Sequence, residues 1–599
     1  MKAFKNWFVF GLATIAFLAP LKFGTPVMLQ SHVQPPGNVT EWLFFSWPNE
    51  LAIILVFAGF VWLVLDPQRM LARVDLLFVL PLMFLLTQAL AAPTSICRQT
   101  TIDTLLLFAA CTLLFYVGAW LVRDGSATAH VFGGLALATL LVCLLALEQH
   151  FGGLEQSRRE AALYLDPSKV PKGFLLRMTS NRVFASFVYP NALAGFLVVA
   201  FAPTLVWVWV RARGWDTRVR WMSLLFTAGV MVFCLLLTGS RGGFVAFGAM
   251  ALTTLWCGVS RPGRRFTFAA LGLILVLAVI FVAATRQGIL HVGRESLEAR
   301  TDYWRGALAI VRDHPWVGTG PGTFGSIYPK YKTASTEEAQ TAHNSYLQMW
   351  SDSGILAFVA FAVLWLVAVR DAFRLTRRRR GDAAAIAICG ALVAWTIHGL
   401  VDFDLYVPGV ALPVFILLGA VQGLKELPRT DMVTPRRRAN WLVGAVCAGM
   451  LFAVLWVEGR ALAASYAFAH AQELRRVNPL AAVEEARRAT LLTSWNPGLE
   501  SGLGELALMA GKPDQAIAAY RAAIADDPYR ASCWWHLAEA MTAVHGVDVE
   551  TVEILRKALE LNPTEMTYSN ALASAEKSVR QAPGTLLESA PTKESGSMP

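Results

Sequence analysis

Four residues in polar segments could do chemistry in a chain that is otherwise dominated by apolar runs. His343, Arg300 and Arg305 belong to the long polar loop at 286–353, and Arg241 stands in the turn TGSRGG between two apolar segments. A histidine titrates near neutral pH, which suits proton abstraction. An arginine is permanently charged and binds phosphate oxygens through paired hydrogen bonds. These residue types predict proton transfer beside a bound anion.

The histidine and the turn arginine each have a structural alternative. Arg241 could be an interfacial arginine that reaches towards the headgroups, although a charge at membrane depth usually lines a cavity or meets a partner. The three glycines of its turn permit close approach of a bulky anionic group to the backbone. His343 could serve only packing, but its place in a polar loop that also holds arginines favours the chemical role.

The composition defines the setting of these residues. Of 599 residues, 55% are hydrophobic and 16% are charged, and the mean hydropathy is +0.48. Repeated apolar stretches of about 18 to 20 residues indicate a polytopic helical membrane protein rather than a soluble enzyme. The net charge of +10 comes from basic clusters at the ends of those stretches, so it indicates membrane orientation and not nucleic-acid binding. The eight cysteines form no CxxC pair, which gives no support to a disulfide framework or a zinc site.

Thirteen stretches are predicted to span the membrane. They lie at 7–24, 50–65, 75–92, 103–122, 130–147, 185–210, 221–239, 244–259, 267–285, 354–370, 383–401, 409–424 and 441–457. Basic residues concentrate in alternate loops on the side of the N-terminus, which predicts a cytoplasmic N-terminus. The loop at 286–353 and the C-terminal region then face outward.

The chain changes character after the last predicted span, and we divide it there. Residues 1–457 are predicted to form the membrane domain, 458–582 a helical repeat domain and 583–599 a disordered tail. Asn-Pro or Asp-Pro pairs at 496–497, 527–528 and 562–563 recur near the 34-residue period of tetratricopeptide repeats. Small and aromatic positions such as Ala516, Tyr520, Trp535 and Ala538 would stack the helices. The domain could bind a protein or peptide partner, or it could simply cap the outer face.

Two passages before the large loop carry a family resemblance. The stretch RVFASFVYPNALAGFLVVAF, with Arg182 and Asn191, and the turn TGSRGG resemble segments of the O-antigen ligase and O-antigen polymerase superfamily. These proteins are membrane glycosyltransferases that use glycans linked to a lipid diphosphate. The resemblance covers about 100–424.

Two passages of the loop complete the resemblance in the expected order. ARTDYWRGALAIVRDHPWVGTGPGTF matches the start of the family's large periplasmic loop, and AHNSYLQMWSDSGILAF matches its histidine motif. Ala357 stands where the family often has Gly, Thr or Tyr, which is a mild departure. The joint occurrence of four passages is more specific than any one of them.

The resemblance implies a GT-C-like helical enzyme in the bacterial inner membrane, with the loop closing over an outward-facing cavity. A glycan on undecaprenyl diphosphate would be transferred to an acceptor hydroxyl with inversion and without a metal or other cofactor. His343 would take the acceptor proton, and Arg241 and Arg300 would stabilise the leaving diphosphate. The predicted substrate-binding residues are Arg182, Asn191, Arg305, Asn344 and Asp402.

A metal site is the chemical alternative within the same region. Asp402 and Asp404 in HGLVDFDLYVP form an outward acidic pair, which could hold a divalent cation, and His398 could line the cavity beside them. The two-residue spacing is weak support by itself. The basic loop at 148–184 could help to admit the diphosphate, or it could be a solvated face.

Several functions remain open at this stage. The same residues would serve an O-antigen ligase, a polysaccharide polymerase or a protein O-oligosaccharyltransferase, so the glycan and the lipid, glycan or protein acceptor stay undetermined. A transporter would explain the many spans, but it has no need for a histidine in a large outer loop. A polysaccharide-export scaffold would depend on the repeat domain, but it would not need thirteen spans.

Overall fold

A computed structural model describes most of the chain. The described residues are 2–33, 35–64, 74–156, 158–159, 180–259, 289–333, 339–425 and 440–581. Within these ranges the chain forms helices and no strand, which confirms the predicted all-α polytopic membrane fold. The predicted span at 267–285, the tail at 583–599 and most of the basic loop at 148–184 lie outside the described residues.

In the described residues, nine α-helices precede the large loop. They are α1 (Lys2–Lys22), α2 (Val39–Phe44), α3 (Asn49–Val64), α4 (Leu76–Ala91), α5 (Arg98–Leu121), α6 (Gly125–Glu148), α7 (Pro190–Arg211), α8 (Thr217–Thr238) and α9 (Arg241–Gly258). The loop contains α10 (Ile289–Asp313) and the short α11 (Phe324–Ile327). The membrane region resumes with α12 (Ser345–Arg378), α13 (Ala383–His398), α14 (Pro408–Lys425) and α15 (Asn440–Leu474).

The predicted spans can be compared with these helices. Twelve of the thirteen coincide with a helix, and the other one lies outside the described residues. Among the described residues, eight helices are long and apolar enough to cross a membrane, and three shorter apolar helices accompany them. The helix α15 continues without a break through residue 457, where the sequence predicted the end of the membrane domain.

Close packing of small residues places α14 at the centre of the bundle. Every residue from Pro408 to Leu424 is buried. A Cβ on Gly419 would lie 2.2 Å from the Phe115 carbonyl oxygen, so only a glycine allows α5 and α14 to approach this closely. Because α13 ends at His398 and α14 begins at Pro408, the turn between them is anchored at both ends.

A glycine also separates the loop end of α12 from its membrane part. Gly354 has φ +77°, and a Cβ there would lie 2.1 Å from the Trp316 carbonyl oxygen. Gly318 meets the Asp352 backbone equally closely, and Gly320 N–H donates to the Asp352 carbonyl oxygen at 2.8 Å. The Gly-rich turn after α10 is therefore fixed against the first turns of α12, which hold the loop over the bundle.

The C-terminal region is a row of helices in which each packs on the next. They are α16 (Pro479–Leu492), α17 (Pro497–Met509), α18 (Pro513–Asp526), α19 (Ala531–His545), α20 (Val549–Leu561) and α21 (Met566–Gln581). Ala516, Tyr520 and Ala538 are buried, as the stacking pattern requires, and the Tyr520 ring fills the space that Gly504 leaves. The assignment to tetratricopeptide repeats stays a prediction.

The helical row contacts the large loop. Ser326 Oγ, in α11, donates a hydrogen bond to Asp527 Oδ2 at 3.3 Å. Tyr529 packs against the apolar cluster of the loop, whose buried members include Tyr303 and Tyr328. The row therefore lies on the same side of the membrane helices as the loop.

Candidate functional site

The site is built around Asp402, in the turn between α13 and α14. Its side chain is 1% exposed. Arg300 Nη2, from α10, lies 3.5 Å from Asp402 Oδ2, and His343 Nδ1 lies 3.6 Å from Asp402 Oδ1. The second distance is a contact that is too long for a hydrogen bond. One buried carboxylate thus joins the arginine and the histidine of the large loop.

Backbone hydrogen bonds connect this turn to the start of α12. Ser345 N–H donates to the Gly399 carbonyl oxygen at 2.8 Å, and Ser345 Oγ donates to the Asp402 carbonyl oxygen at 2.8 Å. Phe403 N–H donates to Asp402 Oδ1 at 2.9 Å, which fixes the carboxylate. The position of His343, two residues before Ser345, is therefore tied to the same turn as its carboxylate partner.

Asn344 caps α12. Its Oδ1 accepts hydrogen bonds from the backbone N–H groups of Tyr346 and Leu347, both at 3.0 Å, as an N-cap asparagine should. His343 precedes the cap with φ +48°, a conformation that is uncommon for a residue with a side chain. The cap and this backbone conformation direct the imidazole away from the helix axis and towards Asp402.

Aromatic rings enclose the imidazole. The Tyr303 ring stacks on His343 with centroids 5.6 Å apart, and the Phe403 ring meets it edge-on at 4.8 Å. His343 lines a cavity of about 150 Å³ with these two residues, Tyr189 and the loop segment 339–341. The imidazole is about one quarter exposed, so it is held in place yet reachable.

The local charges favour an ionised Asp402. Burial raises the pKa of this carboxyl, but interactions with His343, His398 and Arg300 outweigh burial and hold the pKa well below its usual range. A carboxylate that stays negative at neutral pH can orient an imidazole and stabilise it when it becomes protonated. The pair has the arrangement that a general base needs.

A second arginine approaches Arg300. Arg182 Nε donates to the Thr238 carbonyl oxygen at 2.6 Å, and Arg182 Nη2 donates to Asn191 Oδ1 at 2.7 Å. Burial, followed by the positive charge of Arg300, lowers the pKa of Arg182 to about 10. The two positively charged guanidinium groups repel each other, and a bound anion would offset this repulsion.

The turn that carries Arg241 packs against the Asp402 turn. Ser240 caps α9 by accepting from Gly243 N–H at 3.2 Å. A Cβ on Gly242 would lie 2.7 Å from Val401 Cγ2, so the glycine allows the two turns to touch. The Arg241 side chain is exposed at the first position of α9. Sequence segments far apart in the chain, around 182, 241, 300, 343 and 402, therefore meet in one place.

Comparison with known proteins identifies this region. Residues 226–362 match the family model described as O-antigen ligase. The chain carries an O-antigen ligase domain. This confirms the predicted relationship to the O-antigen ligase and polymerase superfamily, a family of membrane glycosyltransferases. No curated protein matches the chain.

The match covers part of the assembled site. It runs from within α8 to within α12 and includes Arg241, Arg300 and His343. Arg182, which belongs to the same site in space, lies before the matched residues, and Asp402 lies after them. The site thus combines residues of the matched segment with residues that precede and follow it in the chain.

Two predicted substrate-binding residues have other surroundings. The side chain of Arg305 is exposed on α10, whereas Arg300 on the same helix reaches Asp402. The side-chain oxygen of Asn344 is occupied by its capping hydrogen bonds. The O-antigen ligase domain therefore uses Asn344 to begin α12, and Arg305 stands apart from the Asp402 contacts.

The two aspartates proposed as a metal pair have different partners. Asp404 Oδ2 contacts His398 Nδ1 at 2.5 Å, and Asp404 also packs against Gly195 of α7, whose Cβ would lie 2.3 Å from Asp404 Oδ2. Asp402 instead faces the loop. Among the described residues, no group of three or more His, Cys, Asp or Glu side chains could hold a metal ion.

Three aromatic and polar residues of the site were not singled out from sequence. Tyr303 follows Arg300 by one helical turn, so the helical period would have placed both on one face. Phe403 adjoins Asp402 in the chain. Ser345 is part of the histidine motif. The signals were present in the spacing, but only the fold shows that the three surround His343.

Proposed function

We propose that this protein is a glycosyltransferase that moves a glycan from undecaprenyl diphosphate to an acceptor hydroxyl, as an O-antigen ligase or a polysaccharide polymerase. The single observation that carries the proposal is the contact of Asp402 with both His343 and Arg300. It joins a base to a cation in the domain that matches O-antigen ligase.

His343 would act as the general base. With Nδ1 directed at Asp402, Nε2 takes the proton of the acceptor hydroxyl. The acceptor oxygen forms a bond to the anomeric carbon as the bond from that carbon to the diphosphate oxygen breaks. Attack from the face opposite the diphosphate inverts the anomeric configuration. Asp402 acts as a positioning residue, because it is buried beneath the imidazole and stabilises its protonated form.

Arginines would stabilise the leaving group. The diphosphate gains negative charge as the glycosidic bond breaks, and guanidinium groups fixed in a poorly hydrated site can bind it without reorganisation. Arg300 and Arg182 lie near each other, and the Arg241 turn packs against the Asp402 turn. We propose that these cations replace a divalent metal.

The reaction is proposed to take place on the periplasmic face of a bacterial inner membrane. The alternation of basic residues along the sequence supports a cytoplasmic N-terminus. The contact between Ser326 and Asp527 supports placing the helical row on the outer side together with the loop.

The proposal is tested by glycan transfer from a purified undecaprenyl-diphosphate donor, with the protein in nanodiscs. Wild type, His343→Ala and Arg241→Ala are assayed with and without EDTA, and the acceptors are lipid A core, a second lipid-linked glycan and peptides. We expect transfer that survives EDTA and collapses in both variants, and the productive acceptor distinguishes ligase, polymerase and protein glycosylation. Wild-type rates in both variants would refute the roles assigned to His343 and Arg241. If wild type transfers glycan to none of the acceptors, the proposed enzymatic activity is refuted.

A further inference from the structure

A large cavity lies between the helical row and the outer loop. Its volume is about 820 Å³, within the range of roughly 300 to 1,000 Å³ that is usual for small-molecule sites. One wall comes from α15, α17 and the start of α19, and the opposite wall comes from α11 and the residues that follow it. The space is therefore formed only where the helical row meets the loop.

This cavity adjoins the site of His343. Met28 and Gln340 line both the large cavity and the smaller one that holds the imidazole. The Gln340 side-chain oxygen packs against Gly325, where a Cβ would lie 2.4 Å away, so this amide is held in the wall between the two spaces. A long molecule that reacts at His343 could extend past Gln340 into the large cavity.

The charges of the large cavity differ from those at His343. Its charged lining residues are Glu473, Glu505 and Asp527 together with Arg475 and Arg530. Arg530 is already paired with Asp527, with Arg530 Nε 3.4 Å from Asp527 Oδ2. The lining thus has no excess of positive charge for a diphosphate, whereas carboxylates and amides accept hydrogen bonds from hydroxyl groups.

One buried carboxylate among the lining residues lacks a full set of partners. Asp527 is 1% exposed, and Ser326 Oγ and Arg530 both contact its Oδ2. Its Oδ1 has no hydrogen-bond partner in the described part of the chain. A buried oxygen without a partner is costly, and a ligand hydroxyl would satisfy it.

Aromatic side chains complete the lining. Phe468, Tyr529 and Tyr568 contribute to the walls, so the lining contains aromatic rings as well as polar acceptors. A sugar ring has both hydroxyl groups and an apolar C–H face, and this combination matches such a lining. A lipid chain would leave the carboxylates unpaired, and a diphosphate would meet them with like charge.

We propose that this cavity binds the sugar units of an oligosaccharide that extend away from the reacting hydroxyl or anomeric carbon at His343. The inference rests on the proposed glycan transfer and assigns the helical row a direct part in substrate binding. The sugar chain could belong to the donor glycan or to the acceptor, and the experiment separates these sources.

The test measures binding of free saccharides to full-length protein in nanodiscs. One probe is the oligosaccharide released by mild acid from the lipid-linked donor, and the other is deacylated lipid A core. Glu505→Trp places an indole at the cavity from an exposed position of α17, and Glu553→Trp makes the same change at an exposed position of α20 outside the lining. Thermal unfolding confirms that both variants fold.

We expect one saccharide to bind wild type and Glu553→Trp with similar affinity. Glu505→Trp should weaken that binding at least about tenfold, because the indole fills space that the sugars need. Farnesyl diphosphate should bind Glu505→Trp as it binds wild type, because its charge is recognised at the arginines.

Two results would overturn the inference. One is equal saccharide affinity in Glu505→Trp and Glu553→Trp, and the other is the absence of saccharide binding to wild type. A peptide pool that binds in place of the saccharides would assign the cavity to a protein partner. Saccharide binding without transfer to any acceptor would refute the proposed function and leave the cavity assignment standing.

Discussion

The Asp402 carboxylate lies 3.6 Å from His343 Nδ1 and contacts Arg300 through its other oxygen. This relationship joins the turn before the central helix α14 to both ends of the outer loop. One buried group therefore contacts both the proposed base and the proposed anion-binding cation. A change at that group should affect the chemistry more than the fold.

Replacing Asp402 by Asn tests this dependence. The amide keeps the size of the side chain but removes the charge that faces His343 and Arg300. We expect the transfer rate to fall about 10- to 150-fold, which corresponds to the loss of a charged interaction of roughly 1.5 to 3 kcal/mol. Glu298→Gln, at an exposed position of α10, is the control and should keep the wild-type rate. An unchanged rate in Asp402→Asn would remove the carboxylate from the mechanism.

The two arginines of α10 should differ when lysine replaces each of them. Arg300 is mostly buried and meets Asp402, whereas Arg305 is exposed. A lysine keeps the charge but loses the planar pair of donors, so Arg300→Lys should weaken donor binding and slow transfer at least about tenfold. Arg305→Lys should change both by less than about twofold, since an exposed charge is well solvated. Equal effects at the two positions would contradict the assignment of the anion site.

The contact between the Arg241 turn and the Asp402 turn can be tested by adding a methyl group. In Gly242→Ala the new Cβ would lie 2.7 Å from Val401 Cγ2, so one turn must move. We expect slower transfer in a protein that still folds. The double variant Gly242→Ala with Val401→Ala should recover part of the rate, because the second change makes room.

A glycine in an open position provides the control. A Cβ at Gly229, in α8, would meet no atom within 4 Å, so Gly229→Ala should have the wild-type rate. If Gly242→Ala transfers as fast as Gly229→Ala does, the packing of the two turns has no part in catalysis.

The stability of the helical row should decrease as pH rises through a defined window. Burial, with the charge of Asp526, raises the pKa of Glu500 to about 7. An unfolded glutamate has a pKa of about 4.3, so between these values the folded state holds a proton that the unfolded chain has lost. Stability therefore falls as pH rises from about 4.3 to about 7 and levels off above that range.

Glu500→Gln should remove this pH dependence. The unfolding midpoint of the helical row, followed by circular dichroism, should fall less between about pH 5 and about pH 8 in the variant than in wild type. Glu484→Gln, at an exposed position of α16, should keep the wild-type slope. Identical slopes in all three proteins would show that Glu500 titrates normally.

The apolar pattern was sufficient to locate the helices. Spans of about 18 to 20 residues are forced by the thickness of the bilayer, so composition predicts them well. The pattern could not show that α12 starts nine residues before the predicted span at 354, because Ser345 begins a polar first segment. It could not show that α15 continues into the helical row, because a helix that leaves the membrane keeps its geometry while its composition changes.

The site residues were predicted more unevenly. His343 and Arg300 were singled out because they lie in the polar loop, and Arg182 was named from the resemblance to the O-antigen ligase and polymerase superfamily. The central role of Asp402 depends on contacts among segments that are remote in sequence, and no local pattern encodes such contacts. The capping role of Asn344 was predictable in principle, since asparagine before a helix is a usual N-cap.

The most direct test of the central claim is the single-turnover transfer rate of His343→Ala, with and without added imidazole. His314→Ala, in the same loop, is the control. If His343 is the general base, its removal should slow transfer about 100- to 10,000-fold. Imidazole should then restore part of the rate in this variant alone. A wild-type rate in His343→Ala would contradict the account.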